Sequence, residues 1–205
     1  MAIYLHIGYP KTATTWLQKK YFPFIKNYVF VDRKDIIKEL ISPYAIKFDP
    51  LRARNFFFKK YGKKLIFSLE GFVGTCHNFG LNGYLTKDHA QRIKSVFPEA
   101  NIILFIRRQQ DIIASFYYQY IAGGGTYSLN KFLKHNSRKE LIGITLFSYE
   151  FFEYQYIIKL YTDFFSTKNV HVYLFEQFQD DIVKFIYNFT NKFGFEINLE
   201  KIDYS

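Results

Sequence analysis

Apolar and polar positions along the chain switch between a strand-like and a helix-like period, and the order of the segments predicts the fold. Residues 2–8 form an apolar run of strand length, residues 14–25 follow with helical spacing, and Gly8, Tyr9, Pro10 and Lys11 make the tight connection between them. Residues 28–31 predict a second short strand, 34–40 and 51–61 predict helices, and 64–70 a strand. The spacing predicts a helix over 86–97, capped by Thr86 ahead of Lys87 and Asp88. Within 101–107 the unbroken Ile102, Ile103, Leu104, Phe105, Ile106 marks a strand covered on both faces, since a strand with one wet face would alternate. A helix over 110–121, a loop at Gly123, Gly124 and Gly125, helices over 129–134 and 149–165, a strand over 169–175 and a last helix over 180–193 complete the pattern. Strand followed by helix, several times over, predicts one α/β domain spanning 1–205, a mostly parallel β-sheet flanked by helices. Such sheets take ligands at the carboxyl ends of their strands, which directs attention to Gly8, Glu70 and Arg107.

Composition narrows the class. The chain has 205 residues, 49% of them hydrophobic, enough for a self-sufficient core and too ordinary a balance for a disordered or fibrous chain. The 25 Phe and 18 Tyr are scattered and not gathered into one stripe, so they point to packing before function. Lys and Arg outnumber Asp and Glu 28 to 18, and the net charge of +10 suits an anionic partner: nucleotide, nucleic acid, acidic glycan or membrane surface. Cys76 is the only cysteine, which excludes an internal disulfide and a Cys-rich zinc site. No stretch approaches the roughly 18 apolar residues of a membrane span, and the amino terminus lacks a signal-peptide pattern, so a cytoplasmic location is expected.

The first strand end reads Gly8, Tyr9, Pro10, Lys11, Thr12, Ala13, Thr14, Thr15, Trp16. A turn running straight into a helix brings together unpaired backbone N–H groups, the positive end of the helix dipole, a lysine and three hydroxyls, which is a cradle for phosphate. It is not the nucleoside-triphosphate loop G-x-x-x-x-G-K-[ST], because two residues separate Gly8 from Lys11 and the second glycine is missing. Arg107, at the end of the 101–106 run, is followed eight residues later by Ser115, a spacing that puts the hydroxyl two turns into the next helix. Taken alone the two read as ordinary surface residues of a strand end and a helix. Glu70 ends another strand, where it could act as a general base or as a capping carboxylate, and His77 is the competing base. His6, His89, His135 and His171 form no metal-ligand spacing.

These residues resemble the sulfotransferases that use 3'-phosphoadenosine 5'-phosphosulfate (PAPS), whose first signature is approximately Y-P-K-[ST]-G-T-T-W-L. The chain has Tyr9, Pro10, Lys11, Thr12, Ala13, Thr14, Thr15, Trp16, Leu17, and the resemblance is closest to bacterial and carbohydrate-directed members. It implies a P-loop NTPase-like sulfotransferase fold and a donor site built from Lys11, Thr12, Ala13, Thr14, Thr15, Trp16, Arg107 and Ser115, with Lys11 at the bridging oxygen and the last two on the 3'-phosphate. Ala13 stands where glycine is commoner, so the loop has to accommodate a Cβ. By the same resemblance Glu70, at the position of the glutamate of carbohydrate-directed members, takes the proton of an acceptor hydroxyl, expected to belong to a glycan. No metal is required, and PAP is the product. Phe175 falls near the adenine, Glu176 is structural and Arg108 faces solvent or an acid. Acceptor-pocket loops are expected at 71–85 and 122–129, and the domain is expected to be short at its carboxyl end. Two alternatives remain open at this point. One is a P-loop-type kinase with Lys11 and Thr12 on the phosphates and Glu70 beside magnesium; the other is a non-catalytic basic module that binds polyanions, though no nucleic-acid motif is present.

Overall fold

The sheet is parallel throughout and buried in its middle strands, because each of those strands carries apolar side chains on both faces. A computed structural model describes residues 2–74, 83–134 and 147–204. The chain opens with β1 (Ala2–His6) and α1 (Thr14–Trp16), which runs on as a π-helical turn over Leu17–Tyr21 and a 3-10 turn over Phe22–Phe24. Then come β2 (Val29–Phe30), α2 (Arg33–Ile36) with a π-helical continuation over Ile37–Ile41, α3 (Pro50–Tyr61) and β3 (Lys64–Ser68). Next are α4 (Thr86–Val96), β4 (Asn101–Ile106), α5 (Gln109–Ala122) and α6 (Leu129–Leu133). The last elements are α7 (Tyr154–Phe165), β5 (Val170–Leu174), α8 (Phe175–Asp180) and α9 (Ile182–Phe193).

The strand order is β2-β3-β1-β4-β5. Register runs from Ala2 opposite Lys64 to His6 opposite Ser68 on one side of β1, and from Tyr4 opposite Asn101 to His6 opposite Ile103 on the other. Alternate residues feed two cores. Ile3, Leu5, Leu65, Phe67, Ile102 and Leu104 face a layer built from α2 to α7, while Tyr4, Ile66, Ile103 and Phe105 face α1, α8 and α9. The chain leaves β1 toward β2 and leaves β4 toward β5, so connections diverge between these two neighbours and open a crevice at their carboxyl ends. Backbone bonds from Ile7 N–H to the Ile103 carbonyl and from Tyr9 N–H to the Phe105 carbonyl extend the pairing past the strand and seat the following loop against β4.

Several boundaries differ from the sequence reading. Thr86 does not cap its helix: its hydroxyl donates to the Val73 carbonyl at 2.7 Å, and Leu85 occupies the cap position. The expected helix over 149–165 is a 3-10 turn (Tyr149–Phe152) followed by α7, with Glu153 in a non-helical conformation between them. The expected last helix over 180–193 begins at Ile182, because Asp181 leaves helical geometry and accepts a bond from Lys184 N–H, the usual N-cap arrangement. The strand expected over 169–175 ends at Leu174, and Phe175 starts α8.

Candidate active site

The loop after β1 owes its shape to three local constraints. Gly8 admits no side chain, since a Cβ there would lie 2.8 Å from His6 Nε2 and 3.2 Å from Thr12 Oγ1. Thr12 is buried, and its hydroxyl donates to the Tyr9 carbonyl, which closes the turn from within. Lys11 and Ala13 both hold positive φ, 65° and 61°, with Thr12 between them at negative φ. Alternating signs of φ point successive N–H groups toward one concavity, the geometry of an anion-binding nest, and here it opens onto the N-terminus of α1. Two non-glycine residues in the left-handed region represent stored strain, a condition that clusters at ligand sites.

The structure brings the separated motifs together. Arg107 Nη1 donates to the Lys11 carbonyl and to Ser115 Oγ, each at 3.2 Å, and Ser115 Oγ donates in turn to the Asp111 carbonyl at 2.9 Å. Its guanidinium lies 4.8 Å from the centre of the Phe175 ring, and the Tyr154 hydroxyl donates to its carbonyl at 2.6 Å. Among the described residues Nη2 and Nε of Arg107 have no hydrogen-bond partner, so most of the fork remains for a ligand. Arg108 is exposed, and Glu176 accepts from its N–H at 2.8 Å, in keeping with the roles expected for both. A cleft of about 620 Å³ beside them is lined by Arg107, Arg108, Gln109, Glu153, Tyr154 and Glu176 among others.

Glu70 starts a 3-10 turn (Glu70–Phe72) just past β3, placed by the bond from Leu69 N–H to the His6 carbonyl. Burial pushes its carboxyl above the usual glutamate range, opposed by the charges of Arg33 and Lys11. Thr14 Oγ1 is buried with no hydrogen-bond partner, and Trp16 Nε1 is in the same condition. An orphaned hydroxyl on the residue that follows the nest is what a bound anionic ligand would satisfy, so the residues fit a phosphate-bearing group. Thr15 is exposed at the first turn of α1. Trp16 is partly buried, edge-on to Phe178 at 5.2 Å and stacked near Tyr204 at 6.3 Å. His77 lies outside the described residues. Arg33 is the residue that reading the sequence missed; its only signal was a basic pair after the second short strand, and nothing local ties it to Glu70.

A second cavity, about 310 Å³, adjoins the loop through Tyr9, whose hydroxyl donates to the Phe151 carbonyl at 2.8 Å. Its described walls include Val73, Tyr84, Thr86 and Lys87 on one side and Ser148 to Leu160 on the other. Val73 and Tyr84 of the first wall fall in the expected 71–85 loop, whereas Thr86 and Lys87 begin α4; among the described residues the expected 122–129 loop contributes none of the lining. Among the described residues no three His, Cys, Asp or Glu side chains are grouped to hold a metal ion, and no helix is long and apolar enough to cross a membrane.

No family model and no curated protein matches the chain. Solved structures do. A sulfotransferase from Alicyclobacillus acidocaldarius superposes with a TM-score of 0.69 at 18% identity, covering 100% of this chain and 85% of that one. Mouse sulfotransferase SULT7A1, solved in complex with PAP, superposes with a TM-score of 0.55 at 18% identity over 96% of this chain, which spans 60% of the mouse chain's length. The fold is therefore sulfotransferase-like.

Proposed function

We propose that the chain is a sulfotransferase that moves a sulfuryl group from PAPS to an acceptor hydroxyl, with a carbohydrate as the acceptor. The observation that carries the reading is the Arg107 bridge, which joins the Lys11 carbonyl to Ser115 and makes one site of two motifs 96 residues apart. The likeness to a mouse enzyme solved with PAP supports the choice of nucleotide. In this reading the nest of residues 11–13 and the Thr14 hydroxyl hold the 5'-phosphate, Arg107 and Ser115 hold the 3'-phosphate, and Trp16 borders the adenine. The donor supplies an activated S–O bond. Glu70 takes the acceptor's hydroxyl proton as that oxygen bonds to sulfur, and Lys11 steadies the charge left on the departing phosphate oxygen. Alignment and charge stabilisation do most of the work, as they do in phosphoryl transfer.

Calorimetric titration with PAP tests this without needing the acceptor. PAP should bind and change the emission of Trp16, the only tryptophan. ATP, which lacks a 3'-phosphate, should bind more weakly. Arg107→Ala should narrow that gap, because each charge-assisted contact is worth roughly 1.5–3 kcal/mol. A folded protein that ignores PAP overturns the reading, and tighter, magnesium-dependent binding of ATP would replace it with the kinase.

A further inference from the structure

Away from this site, the segment between α2 and α3 shows an unusual surface. Ile46 is 94% exposed, Tyr44 78% and Leu51 71%. Scattered exposed apolar residues are ordinary, but these three lie within eight residues, on a 3-10 turn (Ala45–Lys47) and the first turn of α3. The turn is held firmly. Arg92, itself buried, donates from Nη1 to the carbonyls of Leu40, Ile41 and Pro43 at 3.2, 3.2 and 2.8 Å, and its guanidinium packs over Phe48 at 4.9 Å. The apolar side chains therefore project from a fixed base.

The tip and the helix that follows it are basic. Residues 38–60 contain 6 Lys and Arg against 2 Asp and Glu, a net of +4. Near the tip Lys38 and Arg52 share Glu39, whose carboxylate is buried, at 3.8 and 3.0 Å, and Lys47 is exposed on the turn itself. Along α3, Ala53 and Phe57 point inward, so helical spacing turns Leu51, Asn55 and Lys59 outward, a face that grades from apolar to basic.

We propose that this tip docks the protein on an anionic lipid bilayer, with Tyr44, Ile46 and Leu51 inserted among the headgroups and the surrounding lysines and arginines against lipid phosphates. Charge complementarity selects the anionic surface, and the aliphatic tip selects lipid over nucleic acid, whose backbone offers Ile46 nothing to bury against. A side chain almost wholly in water stands above the surface and lines no groove, which suits insertion into a fluid layer better than a preformed protein pocket. The proposal is independent of the donor assignment.

Co-sedimentation of the full chain with vesicles tests it. Vesicles of phosphatidylcholine containing about one-third phosphatidylserine should retain the protein at least ~10-fold better than phosphatidylcholine alone, and raising salt from about 0.1 to 0.5 M should abolish most of that gain. The double variant Tyr44→Ser, Ile46→Ser keeps every charge and removes little packing, so it should fold with an unchanged melting curve and bind these vesicles at least ~5-fold more weakly. Equal binding by wild type and the double variant overturns the insertion, as does absence of binding to phosphatidylserine vesicles. A concentration-dependent dimer in sedimentation velocity that the double variant abolishes would assign the tip to a second copy of the chain instead.

Discussion

In the proposed reaction two demands on Glu70 oppose each other: a base must be ionised to take a proton, and burial resists ionisation. Burial leads here, with Arg33 and Lys11 pulling the other way. The acid limb of the rate profile should therefore lie above the pH at which an exposed glutamate titrates. Stability moves in the opposite sense. Because the folded pKa is raised, the ionised carboxylate costs stability near neutrality, and that cost is relieved as pH falls through the folded value. Arg33→Gln should shift the acid limb of kcat further upward; a limb that stays or moves down would remove Arg33 from the site. Glu70→Gln should lower turnover by about 10²–10⁴-fold while PAP affinity is kept. His77→Ala should be mild by comparison, and the reverse ranking would make His77 the base. Lys11→Ala should cost on the order of 10²-fold or more in turnover with the melting temperature unmoved, since the side chain is exposed; wild-type turnover at saturating donor would sink its role.

At the scale of elements, the loop after β1 trades stability for shape. Ala13 at φ 61° carries a Cβ in the left-handed region, and Ala13→Gly removes that strain at some cost in chain entropy. The balance should stabilise the fold by about 0.5–1 kcal/mol, a rise of about 1–4 °C in melting temperature, with PAP binding retained. A lower melting temperature would show that the left-handed geometry is not strained there. This loop was legible in the sequence because its determinants are local: a glycine, a proline and a run of threonines between a strand-length and a helix-length segment. Arg107 and Ser115 lie on one strand–helix unit, but only the resemblance to a family signature singled them out, since alone they look like ordinary surface residues. The break at Asp181 was not, since an aspartate at a cap and one on a helix surface look alike until the backbone turns. Nor was the Thr86 bond to Val73, because a hydroxyl near a helix start has two uses and tertiary contact chose the other. Arg33 and Tyr154 reach the site only through β-sheet order, which no local pattern encodes.

The whole molecule is tied to pH through a histidine in its centre. His6 is fully buried between Phe22 and Phe105, with Nδ1 2.8 Å from Ser68 Oγ and Nε2 unpartnered, and desolvation pushes its pKa down to about 3. Unfolding returns it to an ordinary histidine near pH 6.5, so the unfolded chain binds the extra proton between those values. Stability should fall as pH drops below about 6.5, by about 1.4 kcal/mol per unit from this group alone, and urea unfolding at pH 7, 6 and 5 measures it. An unfolding free energy that is flat over that range would contradict the buried neutral ring. The strand order also sets a timetable. β1 is first in the chain yet central in the sheet, and its partners begin at Lys64 and Asn101. At about 5–20 residues per second of synthesis, the first strand waits on the order of 3–12 s for β3 and about 5–20 s for β4, with one edge open in between. Its alternation of Ile3, Leu5 and Ile7 with Tyr4 and His6 gives it no wet face on which to wait. Nascent chains should therefore need a holdase over this interval, and the proposed nucleotide site, which spans β1 and β4, should become competent only when that late pairing closes.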